Sequence, residues 1–155
     1  MSDMEKRLVT MKLSELVPYK NNPRKNKSAV KSVSESIRQT GYNNPIIVDE
    51  NKVILAGHTR RLSLMKRGED EVQVLQVLGL SETAKKKFRL LDNKVGEYAS
   101  WDYVALTNEL AALDFEGLDL DWGLDWKGNM DSGEEKKKKE KPEYVCPECG
   151  HHFRA

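Results

Sequence analysis

The sequence predicts a small α+β domain followed by a solvated tail, on three observations. Short β-type apolar runs alternate with amphipathic segments of helical period, glycine or proline stands at most junctions, and 155 residues hold about one domain of ordinary size. The first strand is read at Leu8–Met11, followed by a turn through Ser14–Pro18 and a loop at Asn21–Arg24. From Lys27 to Thr40, Val30, Val33 and Ile37 recur at helical spacing and Gly41 stops the pattern. Pro45–Val48 and Val53–Ala56, joined by the polar Asp49–Lys52 turn, read as a hairpin. Gly57 breaks the second strand, and His58–Arg67 fits a helix with Leu62, Met65 and Leu64 on its apolar side, ended by Gly68. Val72–Leu78 reads as a strand. Ser81 is placed to cap a longer helix whose stripe is Ala84, Phe88, Leu91 and Val95, with Gly96 ending or bending it. A last helix, Asp102–Leu113, presents Tyr103, Leu106, Leu110 and Leu113.

Four regions follow from this pattern: a domain over 1–100, an acidic helical extension over 101–126, a charged linker over 127–142 and a cysteine-bearing tail over 143–155. The linker is polar and charged except for Met130, so it lacks the apolar surface that offsets ordering entropy and is expected to be disordered. Charge divides along the chain: residues 1–94 carry 19 Lys/Arg against 11 Asp/Glu, and residues 95–126 carry none against eight. A basic body suits phosphate-bearing partners, and an acidic segment suits docking on a basic surface. The alternating strip from Glu116 to Trp126, with Trp122 and Trp126 four apart, is a candidate docking edge. Lys136–Lys139 and Lys141 are interleaved with acids and read as solvated linker. No apolar run reaches the roughly 18 residues of a membrane span and the N-terminus lacks a secretory pattern, so the expected location is cytoplasmic, without membrane partners. Two cysteines with two residues between them exclude a disulfide scaffold.

Three clusters carry candidate chemistry. In Val53-Ile54-Leu55-Ala56-Gly57-His58-Thr59-Arg60-Arg61, a strand enters a glycine turn and a helix start, which leaves the first helical N–H groups free for an anion. Gly57 permits close backbone approach, Thr59 offers a hydroxyl, Arg60 can hold a phosphate with two parallel hydrogen bonds, and His58 can donate or move a proton. Asp92 and Asn93 interrupt a helical pattern with two oxygen-bearing side chains suited to a hard cation beside a phosphate. Cys146-Pro147-Glu148-Cys149-Gly150 is a knuckle that can place two thiolates on zinc, with His151 or His152 nearby and the remaining ligands available from a second chain as a homodimer.

These residues also resemble a known family. Leu16-Val17-Pro18, Asn22-Pro23-Arg24, Gly41-Tyr42-Asn43-Asn44-Pro45-Ile46-Ile47-Val48, Ile54-Leu55-Ala56-Gly57-His58-Thr59-Arg60 and Gly68, over about residues 8–100, look like the N-terminal domain of ParB, in the superfamily that also holds sulfiredoxin and free-serine kinases. The resemblance implies a compact α+β fold with a small mixed sheet and packed helices. It places a nucleoside triphosphate on Gly57, His58, Thr59 and Arg60, and its magnesium on Asp92 and Asn93. ParB proper has Gly-Glu-Arg-Arg at the turn, so His58 and Thr59 depart from it. Sulfiredoxin has Gly-Cys-His-Arg there, and this chain has no cysteine before Cys146, which excludes repair chemistry through that thiol. The Ile-Leu-Ala-Gly-His-Thr-Arg version of the motif looks like domains joined to phage DNA adenine methyltransferases. It implies a nucleotide-binding accessory or regulatory protein in bacterial or phage DNA metabolism, with DNA or a DNA-modifying enzyme as partner. The alternatives are a small phosphotransferase or NTPase like the free-serine kinases, with His58 or Glu15 as the candidate base, a ParB-like nuclease, and a non-catalytic adaptor.

Overall fold

The computed structural model describes residues 4–115, 118 and 120–123, together with the backbone of two strands at 143–145 and 152–154. The chain divides into two units, Met1–Leu120 and Asp121–Ala155.

In the first unit, strand β1 (Glu5–Lys12) pairs antiparallel along its whole length with β4 (Glu71–Leu78). Strands β2 (Ile46–Val48) and β3 (Ile54–Ala56) form the hairpin, with a bulge between Ile47 and Val48, and β2 lies parallel to β4. The sheet is therefore mixed, in the order β1-β4-β2-β3. The expected strand at Leu8–Met11 is longer than its apolar run, because eight residues of β4 supply a full ladder of hydrogen-bond partners. A buried cluster of Leu13, Leu16, Ile46, Val48, Ile54, Leu64, Val72 and Val74 lies under helix α1 (Val30–Thr40), with Ile37 and Tyr42 packed against it. Gly41 ends α1 with φ of +86°, and its N–H donates to the Ile37 carbonyl at 2.9 Å.

Helix α2 (His58–Lys66) corrects the expected apolar face. Leu62 and Met65 are exposed, and Leu64 with fully buried Ser63 faces inward. The Ser63 hydroxyl sits 3.0 Å from the Val30 carbonyl and 2.9 Å from that of Thr59, so a polar contact fixes α1 on α2. Arg60 and Arg61 occupy the inner turn because loop carbonyls need donors there: Arg60 Nη1 donates to Asn44 and Pro45 (2.6 and 2.7 Å), and Arg61 Nε donates to Leu13 (3.2 Å).

Helix α3 (Glu82–Lys94) starts as expected, with Ser81 Oγ accepting from the Ala84 N–H at 3.2 Å, and tightens into a 3-10 turn at Val95–Tyr98 around Gly96. Its buried stripe is not the expected apolar one. Lys85 and Arg89 are buried, Ala84 and Phe88 are half-buried, and Leu91 and Val95 are exposed. The reason is an acid turned inward in the β2–β3 turn. Asp49, buried itself, accepts from the Asn51 and Val53 N–H groups at 2.9 Å and lies 3.5 Å from Lys85 Nζ. Lys85 Nζ also donates to Glu50 (2.6 Å) and Glu82 (2.8 Å), while Arg89 Nε donates to the Ile54 carbonyl of β3 at 3.1 Å. Burial by itself would lower the Lys85 pKa. Its hydrogen bonds to Glu50 and Glu82 and the charge of Asp49 outweigh that and raise it.

Helix α4 (Tyr103–Ala111) is capped by Asp102, which accepts from the Val104 and Ala105 N–H groups at 3.0 and 3.1 Å. Leu106 and Leu110 are buried as expected, whereas Tyr103 and Leu113 are exposed. In the second unit, β5 (Glu143–Val145) pairs antiparallel with β6 (His152–Arg154). The linker over 127–142, Trp126, Cys146, Cys149 and His151 lie outside the described residues, and of His152 only the backbone is described. Among the described residues, no helix is long and apolar enough to cross a membrane.

Candidate functional site

The hairpin delivers β3 into Gly57, whose φ of +100° and ψ of 25° are left-handed. A Cβ at this position would stand 3.2 Å from Ile46 Cα, from Ile46 Cγ1 and from Arg60 Nε. Glycine is therefore demanded twice, by its dihedral angles and by the backbone of β2 pressed against it. The turn opens α2 without a side-chain cap, and the first helical bond is Arg61 N–H to the Gly57 carbonyl at 3.0 Å. The N–H groups of His58, Thr59 and Arg60 precede that bond and point out of the helix end, where the macrodipole favours an anion.

Residues 57–60 form one wall of a cavity of about 480 Å³, within the range of small-molecule sites. Arg24 and Lys25 of the long loop before α1 stand on another side, and Arg89, Asp92 and Asn93 of α3 on a third. A smaller cleft of about 260 Å³, lined by Ile37, Tyr42, Asn43 and Asn44 among others, adjoins it through Arg60. Burial pushes the Arg60 guanidinium below its ordinary value, and Tyr42 and Asp92 act in the opposite sense. With one nitrogen tied to two loop carbonyls, the rest of its fork remains available to an oxyanion.

The cavity wall from Tyr19 to Asn26 is held at three points. The Tyr19 N–H donates to His58 Nε2 at 3.1 Å, the Arg89 guanidinium stacks 4.0 Å from the Tyr19 ring centroid, and Arg24 donates to Asn93 Oδ1. Asn93 Nδ2 donates to the Arg89 carbonyl at 2.8 Å, which fixes the amide with its oxygen turned away from the helix. Asp92 and Asn93 are thus two adjacent oxygen donors at the cavity edge. They fit a magnesium ion that takes its other ligands from phosphate and water.

His58 titrates below its ordinary 6.5 because of burial and the nearby charges of Arg89 and Arg61. Only the neutral ring accepts from Tyr19, so the proton resides on Nδ1. A depressed pKa in the fold means that this contact stabilises fully above about pH 6.5 and is lost as pH falls through the folded value. Denaturation midpoints measured from pH 7.5 to 5 should fall less steeply in His58→Asn than in the natural chain.

The structure brings together Gly57, His58, Thr59, Arg60, Asp92 and Asn93. It does not bring Glu15 with them: that carboxylate pairs with Lys52 at 2.9 Å and is absent from the cavity lining. Sequence reasoning gave no role to Arg24, Lys25 or Arg89. For Arg89 a signal was present, since Lys85, Arg89, Asp92 and Asn93 fall at i, i+4, i+7 and i+8 and make a polar stripe beside the apolar one. Among the described residues, no three His, Cys, Asp or Glu side chains converge as a metal cluster.

The family model for the ParB N-terminal domain matches residues 2–94. This chain belongs to that family. The ParB-like nuclease domain-containing protein YnaK of Escherichia coli (strain K12) is 35% identical over 82 residues, covering 52% of this chain and 94% of that protein. Among solved structures, the C-terminally truncated chromosome-partitioning protein ParB of Caulobacter crescentus, complexed with CTP-gamma-S, is similar at a TM-score of 0.53 and 21% identity, over 72% of this chain. The chain spans 65% of that protein's length. A Pnob8-like ParB N-domain is similar at a TM-score of 0.51 and 18% identity, over 99% of this chain and 59% of that one. At these identities the structures share the ParB-N fold, a mixed sheet with packed helices, which agrees with the architecture expected from sequence.

Proposed function

We propose that this ParB N-terminal domain is a nucleoside triphosphate-binding module that serves as an accessory or regulatory protein in DNA metabolism or modification. The observation that carries the reading is the uncapped start of α2 at left-handed Gly57, opening into a cavity walled by Arg24, Lys25, Arg60 and Arg89 with two oxygen donors opposite. The helix start and Arg60 bind the phosphates; Asp92 and Asn93 hold magnesium, which would neutralise phosphate charge there. The smaller cleft beyond Arg60, with its mixed apolar and amide lining, is shaped for the base. The CTP-gamma-S bound by the Caulobacter protein makes CTP the first nucleotide to try.

Binding without rapid turnover is favoured over phosphoryl transfer. His58 lines the cavity with its Nε2 lone pair already engaged by Tyr19, and Glu15 is paired with Lys52 away from the lining, so neither offers a free base there. Calorimetry with CTP, ATP, GTP and UTP in magnesium, with phosphate release followed in parallel, tests both statements. Arg60→Ala should fold and lose about ten- to a hundredfold in affinity, the value of one or two charge-assisted hydrogen bonds. Unchanged affinity in that variant would remove the phosphate role, and sustained phosphate release would turn the reading toward the kinase-like enzyme. Zinc at Cys146 and Cys149, shared with a second chain, completes the proposal and is checked by metal analysis of protein purified under reducing conditions.

A further inference from the structure

We propose that Arg24 is a built-in cationic placeholder for magnesium, competing with the metal for the oxygen of Asn93 and coupling metal loading to the loop that carries Arg24. The inference rests on the nucleotide-binding reading above. Its basis is the way that oxygen is aimed and used. Asn93 Nδ2 is held by the Arg89 carbonyl at 2.8 Å, so the amide cannot turn without losing a bond, and Oδ1 is the face left for the cavity. Arg24 Nη1 donates to that same Oδ1 across 69 residues of sequence.

Arg24 is delivered there by a local clamp. Its N–H donates to Asn22 Oδ1 at 3.3 Å, Asn22 Nδ2 donates back to the Arg24 carbonyl at 3.4 Å, and Pro23 stiffens the span between them. The guanidinium is exposed, so little packing resists its departure. A divalent ion and a guanidinium on one amide oxygen repel strongly in a partly dehydrated cavity. Arg24 therefore leaves Asn93 when metal and triphosphate load together, and its exposed guanidinium is taken up by water. The Tyr19–Asn26 wall then loses one of its three attachments and keeps those through His58 and Arg89.

The test is the magnesium-linked gain in nucleotide affinity. In the full chain, calorimetry with CTP, ATP, GTP and UTP gives the ratio of affinity in magnesium to affinity in EDTA. A placeholder masks part of the metal's contribution, so Arg24→Ala should raise this ratio by about tenfold, one charge-assisted hydrogen bond's worth. Arg24→Lys, which keeps the charge and loses the fork, should fall between. If Arg24 is only a phosphate ligand, both affinities drop together and the ratio is unchanged, which overturns the inference and leaves nucleotide binding standing. Failure of the natural chain to bind any of the four triphosphates overturns both. Circular dichroism of each variant confirms that the comparison is between folded chains.

Discussion

Alanine at Gly57 is expected to abolish measurable nucleotide binding and to destabilise the domain by about 1–3 kcal/mol. A residue with a Cβ at φ of +100° is strained wherever it stands. Here the added carbon also meets the Cα of Ile46, part of a buried strand that cannot retreat without disturbing the sheet order β1-β4-β2-β3. The local escape is rotation of the peptide before His58. That rotation moves the N–H groups of residues 58–60 and dislodges Arg60, whose Nε lies within 3.2 Å of the new atom. Denaturant titration and calorimetry on the same sample check the two halves of the expectation. Retention of full affinity in Gly57→Ala would mean that the turn is not where the phosphates sit.

The second large effect is expected at Lys85, which does not line the cavity. Lys85→Met removes the nearer of two cations from a buried acid: Asp49 and Lys85 are among the few buried charged residues described, and Arg89 Nη2 stays 3.8 Å from the same Asp49 carboxylate. Breaking a buried ion pair on one side costs about 3–5 kcal/mol. Glu50 and Glu82 are 41% and 77% exposed and contribute little once unpaired, which keeps the expected loss at about 3 kcal/mol, or about 6–12 °C in Tm. Glu82→Gln should therefore cost less than about 1 kcal/mol. Because Lys85 and Arg89 anchor the helix that carries Asp92 and Asn93, Lys85→Met should also weaken the magnesium dependence of nucleotide binding in whatever fraction remains folded. Adding Asp49→Asn should recover part of the stability, because the neutral amide can still accept from Asn51 and Val53. A Lys85→Met protein as stable as the natural chain would show that the buried charge does not hold α3 in place.

YnaK carries a nuclease domain in its name. The described cavity sets Arg24, Lys25, Arg60 and Arg89 opposite the Asp92 carboxylate and the Asn93 amide around a helix start, which supports the proposed nucleotide site. Measuring DNA cleavage alongside the nucleotide panel separates the two.

The sequence by itself determined the order of strands and helices over residues 5–113, the hairpin at 45–56, the cap at Ser81, and the glycine turn at the head of α2. These follow from local rules: β-type runs, helical period, side chains that satisfy free N–H groups, and a residue without Cβ where φ is positive. Which face of α2 and α3 turned inward was decided only by tertiary structure. α2 buries Ser63 and half-buries Arg60 while leaving Leu62 and Met65 exposed, and α3 buries Lys85 and Arg89 while exposing Leu91 and Val95. In both helices the deciding partners are carbonyls and one carboxylate presented by distant loops and strands, at Asn44, Pro45, Val30, Ile54 and Asp49. Hydropathy along one helix carries no information about such partners. A buried carbonyl without a donor costs more than an exposed leucine, so the donors went inside and the polar stripe of α3 became the wall of the site.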